Sequence, residues 1–211
     1  MRIEKRICVI IIMLCLAGLP ALAAGDVHLL LGQKGSNESR FDDTEAKDQA
    51  VVGLMLNLDF EKPVVLAVDL LFASEDGTRV VGVADPLVFF TDVQSMELDL
   101  GVRKPFRSDS RFQPYFGGGI AWIQLDARQT VSGNLGGPGL DFTDTILDDS
   151  DSAFGFWAGV GIMARWDSGF SLGVDLRYSS AEARLTPVGE PGTIDFEAGG
   201  SHLGMTAGYV W

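Results

Sequence analysis

From Val52 onward the chain repeats one pattern, a large apolar residue followed by a small or polar one. It is plain in Val52, Leu54, Leu56, Leu58 and Phe60, which alternate with Gly53, Met55, Asn57 and Asp59. A period of two is that of a β-strand, whose successive side chains point to opposite faces. The pattern recurs in 64–72, 96–103, 115–122, 154–163, 172–179 and 203–211. A further segment from about Val27 to Lys34, whose inward parity stays open, brings the expected number of strands to eight.

Residue size separates the two faces. One carries large aliphatic and aromatic side chains at nearly every position, and the other carries mostly Gly, Ser, Asn, Asp and Arg. A soluble sandwich would bury its large residues and cover its outer face with Lys, Glu and Thr. A small-residue polar face suits a narrow, crowded interior instead, and turns the large face toward lipid. No segment after residue 23 has the roughly 18 consecutive apolar residues of a spanning helix. The expected fold is therefore all-β, an eight-stranded antiparallel up-and-down transmembrane β-barrel over residues 24–211, with a soluble secreted β-sandwich as the alternative.

The connections alternate in length. Glu61-Lys62-Pro63, Pro105 to Arg111 and Trp166-Asp167-Ser168-Gly169 are short; Gly35 to Ala50, Glu75 to Asp92, Asp126 to Ser152 and Ala181 to Gly200 are long. Short turns at one end and long loops at the other suit an outer-membrane meander with both termini on the periplasmic, short-turn side. Aromatic residues are then expected at the membrane interfaces. Phe60, Phe106, Phe112, Trp166, Phe170, Tyr209 and Trp211 fall at the short-turn ends, and Phe72, Trp122, Phe154 and Tyr178 at the others.

Residues 1–23 have the three parts of a secretory signal: Arg2, Lys5 and Arg6; an apolar run from Ile7 to Leu16; and an Ala21-Leu22-Ala23 end after Pro20. Cleavage after Ala23 would remove three bases and one acid, taking the net charge from −13 to −15. Cys8 and Cys15 would leave with the signal, so the mature chain would have no disulfide, thiolate nucleophile or cysteine metal site. The acidic balance argues against nucleic-acid binding, which needs a Lys/Arg surface. Such acidity is unusual beside a mean hydropathy of +0.19, and a barrel accommodates both by placing apolar residues toward lipid and acids in the loops and lumen.

Three stretches carry a resemblance: Pro114-Tyr115-Phe116-Gly117-Gly118-Gly119, the strand Leu98 to Arg103, and the terminal Gly208-Tyr209-Val210-Trp211. The chain resembles small bacterial outer-membrane β-barrels of the OmpA/OmpX type over essentially its whole mature length. The resemblance implies a last strand read by the barrel assembly machinery, for which Trp211 and Tyr209 fit and Thr206 stands where glycine is frequent. Lipid and lipopolysaccharide are the expected surroundings, with a monomer as the expected state. No carboxy-terminal peptidoglycan-binding domain is expected.

Candidate chemistry is sparse, and no catalytic, cofactor-binding or metal residue is assigned. His28 and His202 are the two histidines, expected near opposite ends of neighbouring strands and out of reach of a shared metal or proton. Ser201 adjoins His202 but points to the other face. The inward charges Asp69, Glu97, Asp99, Arg103, Arg165, Asp175 and Arg177 predict an ion-pair network that fills a narrow lumen, with a gated proton or small-ion path as the sharper alternative. The acids Asp42, Asp43, Glu45 and Asp48, and Asp141, Asp144, Asp148, Asp149 and Asp151, read as hydrated loop charge; calcium bridging to lipopolysaccharide is the alternative. Gly133, Gly136, Gly137, Pro138 and Gly139 read as a mobile loop. The function expected is non-enzymatic, an envelope-structural or surface-loop role; a narrow channel comes second and a lipid-modifying enzyme third.

Overall fold

The computed structural model describes residues 24–36, 48–60, 63–81, 87–106, 110–134, 141–189 and 192–211. The signal-like segment, Asp42, Asp43, Glu45 and the glycines at 136, 137 and 139 lie outside them. The strands are β1 (Ala24–Ser36), β2 (Asp48–Asp59), β3 (Val65–Val81), β4 (Leu87–Pro105), β5 (Phe112–Asn134), β6 (Asp141–Arg165), β7 (Phe170–Ser180), β8 (Glu182–Leu185), β9 (Ile194–Glu197) and β10 (Gly200–Val210).

Eight of them close into an antiparallel barrel in the order β1-β10-β7-β6-β5-β4-β3-β2. The ring is sealed by the β1–β10 ladder, from Asp26 opposite Val210 to Ser36 opposite Gly200. Closure leaves no strand edge in the wall, the condition hydrocarbon imposes on backbone amides and carbonyls.

The alternation read from the sequence sorts the side chains as expected. Leu66, Phe72, Val102, Phe116, Ile120, Phe156, Leu172, Leu176 and Leu203 are exposed on the outside. The open parity of the first strand is settled, because Asp26, His28, Leu30 and Lys34 point inward and Leu29 and Leu31 outward. Beyond Phe72, Trp122 and Phe154 the outward positions change to Gln94, Gln124, Asp126, Arg128, Asp148 and Ser152. From Phe112 to Trp122, eleven residues of tilted strand give an apolar band about 24 Å tall.

Phe60, Phe106, Phe112, Phe170 and Tyr209 stand exposed around the short-turn end. Trp211 departs from the expected ring, since its indole folds inward against Gly25 and lines the mouth of the lumen. The Trp166–Phe170 turn is tight because Gly169 takes a left-handed φ of 85°.

The long connections differ most from expectation. Among the described residues, 75–81 and 87–92, and likewise 126–134 and 141–152, continue as paired strands, with a register shift between Gln129 and Thr130. Gly133, expected in a mobile loop, lies within β5. Val80, Val88, Phe89, Phe90, Thr130, Val131, Thr143 and Thr145 supply β-branched and aromatic residues that fit a pleated surface; interspersed charge conceals the period because both faces meet water. β5 thus runs twelve residues past Trp122, about 40 Å along the strand, while β1, β2, β7 and β10 end close to the band. Within the fourth long connection β8 pairs with β9 as a small hairpin, from Glu182–Glu197 to Leu185–Ile194.

Candidate functional site

The lumen is organised in three layers. At the short-turn end, Asp26 on β1 accepts hydrogen bonds from Asn57 on β2 and from Arg165 Nη2 on β6, the latter at 2.8 Å. These groups, with Gln113, Tyr115 and Trp211, border an open cavity at the mouth. Asn57 Oδ1 accepts from Arg103 Nη1 at 2.7 Å, which carries the network inward to β4.

In the middle layer the Arg103 guanidinium faces both oxygens of Asp69 on β3. Arg177 on β7 reaches Asp99 at 2.7 Å, Asp69 at 2.9 Å and Asp175 at 3.3 Å. Tyr115 donates its hydroxyl to Asp175. The buried indole of Trp157 fills the axis between the two guanidiniums, 5.3 Å from Arg103 and 5.1 Å from Arg177. Such stacking suits arginine, whose planar cation is less strongly hydrated than an ammonium. Gly117 makes the space, since a Cβ there would meet Trp157 and the Arg103 stem.

The third layer gathers around Glu97. Ser179 Oγ donates to Glu97 Oε2 at 3.0 Å, His202 Nε2 lies 3.5 Å away and Lys34 Nζ 3.9 Å away. Lys34 also donates to Ser95 at 3.2 Å and to the Ala198 carbonyl at 2.9 Å. Above it the lumen turns apolar: Val93, Ile123, Leu125 and Ala127 of the wall pack with Ala183, Leu185 and Phe196 of the hairpin. The lumen is thus closed twice, by paired charge below and by an apolar cap above.

All seven inward charges expected from the sequence point into this interior. Asp69, Asp99, Asp175, Arg103 and Arg177 meet in one cluster; Arg165 joins through Asp26; Glu97 belongs to the layer above. Glu97 takes Lys34 and His202 as partners, and the open parity of the first strand hid Lys34. Trp157 and Ser179 stand on inward positions of the alternation but were not singled out as members of the network. Their signal was positional, since Trp157 is the large exception in an inward row of glycines, Gly155, Gly159 and Gly161.

Two arrangements resemble nucleophile relays: the first has its serine sealed away from the mouth cavity, and the second lacks the geometry. His28 Nε2 lies 2.6 Å from Ser171 Oγ, and Asp26 Oδ1 is 3.2 Å from His28 Nδ1, which nevertheless makes no hydrogen bond. His28 and Ser171 are fully buried, the imidazole lies on Gly208, and the mouth cavity is bordered by Asp26 but not by Ser171. In the upper layer Ser179 and Glu97 both approach Nε2 of His202, while Nδ1 has no partner. A general base needs the carboxylate on the ring nitrogen opposite the nucleophile. Ser201 faces outward, as expected. His28 and His202 occupy separate layers, and among the described residues no three His, Cys, Asp or Glu side chains are arranged to hold a metal ion.

The acids at the long-loop end have defined partners rather than hydration alone. Asp151 accepts the Arg184 amide and Asp149 the Thr186 amide, each at 2.7 Å, so both carboxylates hold the hairpin. Asp148 lies 3.8 Å from Arg128, and Asp141 accepts from Asn134 at 2.8 Å. Asp144 accepts the Thr145 amide at 2.9 Å.

A closed antiparallel ring with a lipid-facing apolar band, aromatic borders and a polar lumen defines a transmembrane β-barrel of the outer-membrane class. The chain belongs to the outer membrane protein beta-barrel domain family, whose model matches residues 9–209. Among solved structures it is similar to the outer membrane protein OprG from Pseudomonas aeruginosa, at 14% identity over 90% of this chain and 97% of that one, with a TM-score of 0.56. It is also similar to a major outer membrane protein from Thermus thermophilus, at 13% identity over 90% and 100% of the two chains, with a TM-score of 0.53. No curated protein matches the sequence. Family and fold place the chain in the bacterial outer membrane.

Proposed function

We propose that the protein is a non-enzymatic outer-membrane scaffold that acts through the surface it raises above the membrane, not by passing solute. The observation that carries this reading is the coincidence of a doubly closed lumen with a four-stranded sheet, β3 to β6, running beyond the apolar band. Five inward carboxylates, Asp26, Asp69, Glu97, Asp99 and Asp175, face the four cations Lys34, Arg103, Arg165 and Arg177. Charges so closely matched satisfy one another and leave little net field to favour one sign of ion. The sheet offers a rigid, water-facing surface of the kind that carries recognition in many scaffolds.

In this reading residues 1–23 are removed as an export signal, and both termini and the short turns face the periplasm of a Gram-negative cell. The sheet, the hairpin and the long connections then face outward. The barrel is a monomer, surrounded by outer-membrane lipid and lipopolysaccharide, and its last strand is the segment presented to the assembly machinery. Tyr209, exposed among the short-turn aromatics, suits that presentation.

Planar-bilayer recordings and liposome swelling with the purified barrel test the reading. Neither the wild type nor Asp99→Ala should conduct ions or admit small sugars. Steady single-channel steps from the wild type would favour the narrow channel over the scaffold.

A further inference from the structure

We propose that the β8–β9 hairpin occupies a binding site for a small uncharged molecule with an apolar body and one hydrogen-bond acceptor, and that it is a lid this ligand displaces. This goes beyond a closed scaffold and does not require the barrel to conduct, because the Arg103–Asp69–Arg177 layer stays shut beneath the site.

The manner of the hairpin's attachment is the first reason. Around the barrel, neighbouring strands are joined by continuous backbone ladders, whereas among the described residues β8 has no ladder to β6, and the segment just after it meets β6 through an isolated bridge between Leu147 and Pro187 and one amide, Val188 N to Ile146 O at 3.0 Å. Its Arg184 and Thr186 amides are given to the side chains of Asp151 and Asp149 rather than to carbonyls. The base is held by Ala198 N donating to Ala181 O at 2.8 Å and by the Ala181 amide donating to Glu197 at 3.0 Å. Bonds to water-exposed carboxylates exchange with water at small net cost, so segments tied this way open before the ladders do.

What lies beneath is the second reason. Lifting the hairpin uncovers an apolar wall, Val93, Ile123, Leu125 and Ala127, over a polar floor. On that floor Lys34 loses the Ala198 carbonyl, and two buried polar atoms, Glu97 Oε1 and His202 Nδ1, already lack partners. Convergent polar groups below apolar walls make a small-molecule site, and an eight-stranded interior, filled by side chains while the hairpin is in place, has room for one small ligand once those side chains leave.

The lid's own chemistry specifies the occupant. Leu185 and Phe196 supply the apolar body, and the Ala198 carbonyl supplies an uncharged acceptor to Lys34. An anion is disfavoured because Glu97 is 3.9 Å from the ammonium. Entry is also past a strongly acidic rim: among the side chains described at the long-loop end, twelve are acidic and three, Arg79, Arg128 and Arg184, are basic. A cation would meet Lys34 directly. An ester, ketone or amide on a hydrocarbon or aromatic frame has the required character.

Benzophenone, an uncharged diaryl ketone that crosslinks on illumination, is a direct probe. Wild-type protein in lipid bilayers is illuminated with it, and the labelled residues are mapped by mass spectrometry. Saturable crosslinks to Val93, Ile123 or Leu125 are expected, increased severalfold in a Leu185→Ala/Phe196→Ala variant whose closed barrel is verified by heat-modifiable migration. Crosslinks confined to lipid-facing residues such as Phe116 and Val160 in the wild type would overturn the proposal. Labelling beneath the hairpin in the variant alone would overturn it equally, because the hairpin would then be a fixed part of the core. The wild-type map decides the matter even if the double variant does not fold.

Discussion

At the scale of single residues, the lumen shows how charge is kept inside a membrane protein. Arg177 is surrounded by Asp69, Asp99 and Asp175, so its removal leaves three carboxylates facing one another. Breaking a buried ion pair from one side costs about 3–5 kcal/mol. Arg177→Leu should therefore lower unfolding stability by that order, measured by urea titration in bilayers. Gly208 is the opposite case, where the missing side chain does the work: a Cβ there would strike the His28 ring. Gly208→Val should cost about 1–3 kcal/mol by overpacking and displace His28 from Ser171, visible as a shifted imidazole resonance. Neither residue declares its role in isolation. Arg177 was legible because an arginine on an inward parity needs partners, whereas Gly208 was one glycine among many until the strand register set it beside His28.

Secondary elements were legible where a face met lipid and obscure where both faces met water. Val52 to Phe60 and Leu203 to Tyr209 keep a strict period because one face is held to hydrocarbon. The upper halves of β5 and β6, with Asp126, Arg128, Asp148 and Ser150 outward, have no such constraint, and their strand character rests on residues such as Val131 and Thr143. The β8–β9 hairpin was hidden by shortness, since four residues per strand are too few to establish a period. Its anchoring makes a pH prediction. The Arg184 amide, and then that of Ser152, hold the Asp151 carboxyl below its ordinary range, well above the apolar band. A depressed carboxylate contributes its share of docking above the unfolded pKa of about 3.9 and loses it as pH falls through the lower folded value. The Arg184 amide resonance should hold its bonded position at neutral pH and move toward the free position in that acidic window. Asp151→Asn should show the displaced position at neutral pH, without the titration.

On the scale of the whole molecule, charge and shape are both lopsided. Lumen charges nearly cancel and the described short-turn end balances Asp59 and Asp167 against Lys104 and Arg111, so the negative balance gathers at the long-loop end. Only four of the eight barrel strands carry the projecting sheet, which stands off the barrel axis. The network beneath it draws on every barrel strand: Asp26 and Lys34 from β1, Asn57 from β2, Asp69 from β3, Glu97, Asp99 and Arg103 from β4, Tyr115 from β5, Trp157 and Arg165 from β6, Asp175 and Arg177 from β7, and His202 from β10. Such sharing bears on the order of assembly. Until β1 and β10 meet, Arg165 lacks Asp26 and Glu97 lacks Lys34, so an unclosed sheet carries stranded charge in a medium that penalises it. Completing the ring removes that penalty in one step, making the final strand pairing a checkpoint that an incomplete or mis-registered barrel fails.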